Sequence, residues 1–315
     1  MKSSVKTLLF SGDRQFVLLR GLSMVAALFF ALIYSKQLGV ERRGLLTFVM
    51  TTNLVFSIIV ISGISLHLRN LTKTGLKDNI LGSYLVAVIL FSFVAPFLNV
   101  WTLNIYSSVF DFKFPNNAVF ASILYCFFST LSYGLHDALL LIKSIRIASA
   151  IDIGVTLIQI AVYLSLIHIG ETSYFVSVLI SMTVSHLVMV SSILLLLVYT
   201  QNPRLNFSLR ILWKLIWDSS TPTLLNLASQ ILERIDKVFL GLQIGASELG
   251  RFSTSQSIIG ISKFLPEALG KLSLARNKSF INSRISLFKI VLSATLAAIG
   301  ISCLLYTSPS PRDAT

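Results

Sequence analysis

Apolar residues in this chain come in long, nearly unbroken runs, and nine of these runs recur along its length. Each is close to the roughly 20 residues that an α-helix needs to cross the hydrocarbon core of a bilayer. A β-barrel would instead show short segments of alternating polarity, so the pattern predicts an all-α integral membrane protein. The predicted spans are residues 16–36, 45–65, 80–100, 117–135, 148–168, 174–199, 221–241, 250–270 and 286–305.

Composition supports this assignment. Hydrophobic residues make up 54% of the 315 positions and charged residues 12%, and the mean hydropathy is +0.80. An average soluble domain is about a quarter charged. The predicted spans leave no stretch long enough for a sizeable soluble domain.

The basic residues are sorted by side of the membrane. The formal net charge is +13, from 26 Lys and Arg against 13 Asp and Glu. Sixteen of the basic residues fall in the segments on the side of the N-terminus and five on the other side. Cytoplasmic loops carry the excess of Lys and Arg, so we expect a multi-pass protein of the cytoplasmic membrane with its N-terminus in the cytoplasm. The charge is explained by topology, and nucleic-acid binding is not expected.

The two chain ends call for separate interpretations. The N-terminal apolar run is long, carries Arg20 and lacks a small-residue cleavage site, which favours a permanent first span over a signal peptide. The C-terminal stretch CLLYTSPSPRD resembles a translated sequencing adapter. We therefore expect residues 303–315 to be an artefact and the reading frame to have been cut within the ninth span. The two cysteines, Cys126 and Cys303, give no disulfide framework or metal motif, and no cofactor or metal is expected.

An internal repeat links the turn after span one to the turn after span seven. Gly39 and Gly44 in the first turn correspond to Gly245 and Gly250 in the second, each pair flanking an acidic residue. The offset, 245 − 39 and 250 − 44, is 206 residues in both cases and contains six predicted spans. Parallel duplication of six-helix units is a transporter architecture with the substrate site between the units. We expect a first bundle over residues 1–215 and the start of a second, three helices long, over 216–302, about three helices short of a complete unit.

Three stretches carry a resemblance to a known family. They are LGVERRGLLTF (38–48), HDALLLIKSIRIASAIDIG (136–154) and TPTLLNLASQILERIDKVFLGLQIGASELGRFS (221–253). Together they resemble the polysaccharide flippases, which carry O-antigen and other lipid-linked oligosaccharides, of the multidrug/oligosaccharidyl-lipid/polysaccharide exporter superfamily. The resemblance covers the chain up to about residue 302. It implies a two-times-six-helix transporter fold and the translocation of a lipid-linked glycan, and it implies no fixed catalytic signature.

Polar residues recur at helical spacing inside several predicted spans. A charge at the centre of a membrane helix costs about 2.5–3.5 kcal/mol on insertion scales, so such residues usually face a bundle interior or a wet cavity. Spacings of three and four place them on one helix face. The stripes are Arg20 and Ser23 in span one; Asp152, Thr156, Gln159 and Tyr163 in span five; Ser219, Thr223, Asn226, Gln230, Glu233 and Lys237, with Arg234, in span seven; and Gln256, Gly260, Lys263 and Glu267 in span eight.

Two interpretations of these residues remain open. In the first, cationic groups attract the pyrophosphate of the lipid carrier while amides solvate the glycan, the residues being Arg20, Asn226, Gln230, Arg234, Lys237 and Lys263. Asp152, Glu233 and Glu267 are then candidates for proton or sodium coupling. In the second, the charges form structural ion pairs: Glu233 with Lys237, Arg234 with Asp236, and Lys263 with Glu267.

Other functions were weighed against translocation of a polyprenyl-pyrophosphate-linked oligosaccharide for surface polysaccharide synthesis. An ion-coupled multidrug or small-molecule exporter of the same superfamily would share the fold, but the excess of basic residues in the spans suits an anionic substrate better. A membrane acyl- or glycosyltransferase would need a His and carboxylate cluster or a metal-binding set of acids. His136 and Asp137 are adjacent but lack supporting polar residues, so an enzyme is not expected. Expected partners are the lipid-linked glycan, membrane lipids, and a polysaccharide polymerase and glycosyltransferases.

Overall fold

The computed structural model describes residues 13–72, 78–110, 114–141, 145–170, 173–201 and 207–259. This part of the chain is all helical and contains no strand. Predicted span nine, the end of span eight and the 303–315 tail lie outside it. The eight helices are α1 (Asp13–Thr72), α2 (Asp78–Phe110), α3 (Asn116–Leu141), α4 (Ile145–Ile169), α5 (Tyr174–Gln201), α6 (Leu209–Asp218), α7 (Ser220–Gln243) and α8 (Ala246–Ile259).

Five of the described helices, α1 to α5, are long and apolar enough to cross a membrane. Their outward faces carry large apolar side chains that remain exposed, including Phe97, Phe120 and Leu195. Such a surface is unfavourable in water and natural in lipid. The protein is therefore a membrane-embedded helical bundle, as the hydrophobic runs predicted.

Helix α1 contains both of the first two predicted spans. Its apolar segment, Leu18–Ser57, is 40 residues long, about twice what one crossing requires. Gly39 interrupts it with non-helical backbone angles, φ 72° and ψ 176°, a region that glycine enters without a Cβ penalty. Before Gly39, α1 runs parallel to α4. Arg20 contacts Asp152, and Gln37, further along α1, contacts Tyr163, further along α4.

After Gly39, α1 runs parallel to α3 instead of α4. Asn53 and Ser57 hydrogen-bond to Ser129 and Thr130 of α3, again in the same chain order. Helices α3 and α4 are joined by residues 142–144 alone, so they run antiparallel to each other. The two segments of α1, each of which follows one of them, therefore run antiparallel as well. The sequence expectation of two spans with a turn at residues 38–44 therefore agrees with the path of the chain.

The core divides into clusters at the two ends of the bundle. One cluster, at what we call the Gly39 end, includes Leu45, Phe48 and Tyr125. The other, at the Asp78 end, includes Leu68, Tyr84 and Leu139. Between them, buried side-chain hydrogen bonds connect the helices, as hydrogen bonds between membrane helices generally do.

Helices α6 to α8 differ from the first five. Helix α7 has the length predicted for span seven, but four charged residues, Glu233, Arg234, Asp236 and Lys237, keep it less apolar than α1 to α5. Helix α6 was not predicted. It is a ten-residue amphipathic helix at the Asp78 end, anchored in that core cluster by Leu212 and Leu215.

Candidate functional site

A charged cluster joins the start of α1 to α3 and α4. The Nη1 atom of Arg20 donates to Oδ2 of Asp152 across 2.5 Å. The other carboxylate oxygen, Oδ1, lies 3.3 Å from Nε2 of His136 on α3. This contact is within ion-pair range, but the two atoms are not aligned for a hydrogen bond, and Nε2 is buried without one. Asp152 therefore lies between two basic groups and is held firmly by only one of them.

Two hydroxyl groups brace this cluster from the same two helices. Ser23 Oγ lies 3.3 Å from Thr156 Oγ1 and donates to the backbone carbonyl of Asp152 at 3.5 Å. Thr156 Oγ1 donates to the same carbonyl at 2.8 Å. These contacts fix the α1 helix against α4 one turn from the ion pair. The predicted polar faces of spans one and five thus meet each other.

Tyr133 connects this cluster to α7. Arg20 of α1 and Arg234 of α7 are both within range of electrostatic interaction with its hydroxyl group. Its ring packs against that of His186, with centroids 5.8 Å apart. Tyr133 nevertheless keeps 39% of its surface accessible. The cluster lies toward the Asp78 end of the bundle, since Arg20, Asp152 and His136 are each within about five residues of an end of their apolar segments.

The far end of the α7 stripe makes polar contacts within its own helix and with α8. Asp236 accepts from the backbone N–H of Lys237 at 2.7 Å and from Nε2 of Gln256 at 3.2 Å. The side chains of Asn226, Gln230 and Glu233 lie outside the described part of the structure, although their backbone is helical. Lys263 and Glu267 lie beyond the last described residue. Their predicted roles stay predictions.

The two repeated turns contact each other at the Gly39 end. Gly245 has a positive φ of 103°, as Gly39 does at the equivalent position. A Cβ on Gly44 would overlap the carbonyl oxygen of Ala246, and a Cβ on Gly250 would overlap that of Val40. Val40 and Ala246 are also 206 residues apart. The contact of Gly44 with Ala246 and the contact of Gly250 with Val40 are therefore equivalent under the repeat. We call this contact of Val40 and Gly44 with Ala246 and Gly250 the glycine crossing.

A buried arginine lies beside the glycine crossing. Arg43 is 5% exposed, and its Nε donates to Ser253 Oγ of α8 at 3.2 Å. The positive charge of Arg43 acts on the hydroxyl group of Tyr34, which lies in the segment of α1 before Gly39. In the sequence, Arg43 was counted among the charges of the first turn and was not singled out. Arg43 is buried because α8 packs across the turn. No local sequence pattern predicts that packing.

No protein-family model, curated protein or solved structure matches this chain. The polysaccharide-flippase resemblance therefore rests on the stretches quoted from the sequence. Functional conclusions come from the geometry of the bundle.

Two other features limit the chemistry that the site can perform. Over the residues that the structure covers, His, Cys, Asp and Glu form no group of three or more that could hold a metal ion. A cavity of about 430 Å³ opens at the Gly39 end, between Glu41, Arg42, Phe114 and Ser173. It is separate from the Arg20 cluster. Arg20 and Arg234 both act electrostatically on Tyr133, so this part of the bundle offers positive charge and a hydroxyl group for an anion, beside the carboxylate of Asp152.

Sequence reasoning found some members of this site and missed others. Arg20, Arg234 and Asp152 were predicted site residues, and Arg20 is paired with Asp152. His136 and Tyr133 were not predicted. His136 sits next to Asp137 and offered a weak signal, whereas Tyr133 has no distinguishing neighbour in the sequence.

Proposed function

We propose that this protein is a flippase that moves a polyprenyl-pyrophosphate-linked oligosaccharide across the cytoplasmic membrane, and that it is not an enzyme. The observation that carries this proposal is the charged cluster of Arg20, Asp152 and His136 on three helices of a membrane-embedded bundle, with Arg234 of α7 within electrostatic range of Tyr133 on the same helix as His136. Charged residues inside membrane helices generally mark a substrate or ion pathway. Two guanidinium groups there favour an anionic headgroup, because Arg binds phosphate oxygens in a bidentate manner.

Duplication of a six-helix unit supports the transporter part of the proposal. Under a parallel duplication, Gly39 and Gly245 are equivalent turns, and both adopt positive φ. The glycine crossing is then a contact between equivalent surfaces of the two units, as expected at a pseudo-two-fold axis. The Arg20 cluster belongs to the first unit and Arg234 to the second, so the anion site lies between units.

The orientation follows from the charge distribution. We place the Gly39 end outside and the Asp78 end, with the N-terminus, in the cytoplasm. In this arrangement the glycine crossing closes the outer side, because two backbones approach with no side chain between them. The site around Tyr133 is then reached from the cytoplasm, where lipid-linked oligosaccharides are assembled. Rocking of the units about the site would open the outer side.

Asp152 acts as a competitor for the substrate in this mechanism. In the substrate-free protein it neutralises Arg20, which lowers the cost of keeping that charge in the membrane. A pyrophosphate that reaches Arg20 must displace the carboxylate. Asp152 already has His136 within 3.3 Å as a second basic neighbour.

A second candidate, an ion-coupled exporter of cationic small molecules, is favoured by the same carboxylate. Asp152 is a partly accessible carboxylate inside the bundle, and carboxylates within membrane helices can serve ion coupling. The contact with Arg20 weighs against it, since a cationic substrate would meet a carboxylate that is already paired. The two candidates differ in the sign of the transported charge.

Complementation tests the proposal. The reading frame from its source locus is expressed in a host that lacks its own lipid-linked oligosaccharide flippase, and surface polysaccharide is measured. We expect the wild type to restore polysaccharide, and Arg20→Gln and Arg234→Gln to reduce it about tenfold or more at equal protein level, since each removes about 1.5–3 kcal/mol of charge-assisted hydrogen bonding to the substrate. Full activity in both variants would remove the anion site.

The matched control is Arg251→Gln. Arg251 is an exposed arginine at the Gly39 end, paired with Glu248 at 3.1 Å on its own helix. Exposed pairs of this kind contribute little to stability. We therefore expect wild-type polysaccharide levels in Arg251→Gln, so that a loss confined to Arg20 and Arg234 reports on the site and not on total charge.

A further inference from the structure

Helix α6 presents a surface that the proposed transport function does not use. It lies at the Asp78 end between the predicted sixth and seventh spans, with one face packed against the bundle through Leu212 and Leu215. Its first turn is tied to α2, because the backbone N–H of Ser208 donates to Ser83 Oγ at 3.2 Å and Ser83 Oγ donates back to the Ser208 carbonyl at 3.3 Å. The helix is therefore held in a fixed orientation.

The opposite side of α6 combines two exposed tryptophans with two basic residues. Trp213 is 68% exposed and Trp217 69%, and their rings stack with centroids 6.3 Å apart and an interplanar angle of 19°. Arg210 and Lys214 follow on the same exposed arc of the helix. Within the described part of the chain, neither basic side chain forms an ion pair. Around the helix, the face that packs on the bundle is followed by the tryptophans and then by the basic residues.

This order matches the layers of a membrane surface. Tryptophan rings favour the boundary between acyl chains and headgroups, and Lys or Arg near the membrane surface attracts anionic lipids. A helix lying in the interface buries an apolar face and directs its basic face at the headgroups. Helix α6 is too short to cross the bilayer, so its exposed tryptophans have no transmembrane explanation.

We infer that α6 is an interfacial helix that binds acidic phospholipid headgroups, with Trp213 and Trp217 seated at the headgroup boundary and Arg210 and Lys214 contacting the lipid phosphates. The occupant is a lipid rather than a soluble anion, because the tryptophans and the charges belong to one continuous exposed surface. Because α6 leads into α7 through the single residue Ser219, lipid bound there contacts the connection between the two proposed repeat units. The lipid site itself does not depend on the proposed function.

Tryptophan fluorescence in vesicles tests the position of the helix. The chain has three tryptophans, so Trp101→Phe leaves only the α6 pair as reporters. The full chain is reconstituted into vesicles with phospholipids brominated either near the headgroup or at mid-chain. We expect strong quenching by the shallow bromines and weak quenching by the deep ones. Equal quenching at both depths, or no quenching because water or another protein covers the tryptophans, would overturn the inference.

The charge preference is tested in the same protein. Brominated phosphatidylglycerol and brominated phosphatidylcholine are compared at equal, low mole fraction in zwitterionic vesicles. Each basic side chain contributes about 1 kcal/mol of attraction to an anionic surface, or roughly fivefold in local enrichment. We expect the acidic lipid to quench severalfold more, and Arg210→Gln with Lys214→Gln to abolish the difference. Arg42→Gln with Arg251→Gln, at the opposite end, should leave it unchanged.

Either of two results would count against acidic-lipid binding. One is equal quenching by the two brominated lipids in the Trp101→Phe protein with Arg210 and Lys214 intact. The other is a preference that persists in the double Gln variant, since the charges would then not be its cause. Raising the salt concentration should also weaken the preference, because exposed charges are screened.

Discussion

Arg20 on α1 donates to Asp152 on α4 across 2.5 Å, although the two residues are 132 positions apart in the chain. An unpaired charge buried between membrane helices is costly. The pair lies next to Tyr133 and His136 of α3, so it holds three helices together and also borders the accessible site. A structural role and a substrate-binding role are therefore combined in one contact, and they can be separated by mutation.

Removal of one charge should cost more stability than removal of both. Arg20→Gln takes from Asp152 its closest cationic partner and Asp152→Asn takes from Arg20 its carboxylate, and breaking a buried pair in this way is destabilising. Because the Arg20 side chain is partly accessible, we expect a loss of about 1–3 kcal/mol for each single variant. The double variant Arg20→Gln with Asp152→Asn should recover most of it. Thermal unfolding in detergent measures all four proteins.

Transport separates the two roles. If Arg20 binds the substrate, the double variant stays inactive despite its recovered stability. If the pair is only structural, activity returns together with stability, and the substrate-binding role of Arg20 is lost from the account.

The glycine crossing predicts matched effects at two distant positions. Gly44→Ala and Gly250→Ala each place a Cβ against a backbone carbonyl that cannot move aside as a side-chain tip can. We expect both to lower the unfolding temperature by similar amounts. Gly154→Ala is the control, because an added Cβ there has open space and alanine is about 1 kcal/mol better than glycine within a helix. A harmless Gly44→Ala would argue against the close approach of the backbones.

Substitutions of Tyr133 and Tyr84 can distinguish a role in substrate binding from a role in stability. Tyr84 is buried, and its hydroxyl donates to the carbonyl of Gly134 at 2.8 Å. Tyr84→Phe should cost about 1 kcal/mol of stability with little change in substrate affinity. Tyr133→Phe should leave stability nearly unchanged and weaken substrate binding. Transport kinetics and melting curves for both variants give the comparison, and the opposite assignment of effects would place the substrate elsewhere.

The buried polar contacts between α1 and α3 should contribute modestly to stability. Asn53 Nδ2 donates to Ser129 Oγ at 2.7 Å, with both side chains buried. Hydrogen bonds between membrane helices average about 0.6 kcal/mol in double-mutant cycles. A cycle of Asn53→Ala and Ser129→Ala should give a coupling of that size, measured by unfolding. A coupling indistinguishable from zero would mean that this hydrogen bond does not contribute measurably to the association of α1 with α3.

The sequence predicted the membrane helices well because hydrophobicity is a local property. The runs that became α4 and α5 were placed within three residues of their observed bounds, whereas the predicted spans for α2 and α3 end ten and six residues too early; the turn after span one centres on Gly39. Helix α6 was missed because ten amphipathic residues are too few to form a predicted span. Charges at helical spacing correctly placed Arg20 and Asp152 on polar faces. Their partnership depends on how α1 packs against α4, and no pattern within either helix contains that information.

The most direct test of the account is translocation by the purified protein. Vesicles are loaded on one side with a fluorescent polyprenyl-pyrophosphate oligosaccharide, and its appearance on the other side is followed for the wild type and for Arg20→Gln, Arg234→Gln and Arg251→Gln. The account predicts translocation by the wild type and by Arg251→Gln, and a loss of about tenfold or more in the other two, each of which lacks one of the two guanidinium groups proposed to bind the pyrophosphate. Failure of the wild type to move the lipid, or undiminished movement in Arg20→Gln and Arg234→Gln, would contradict it.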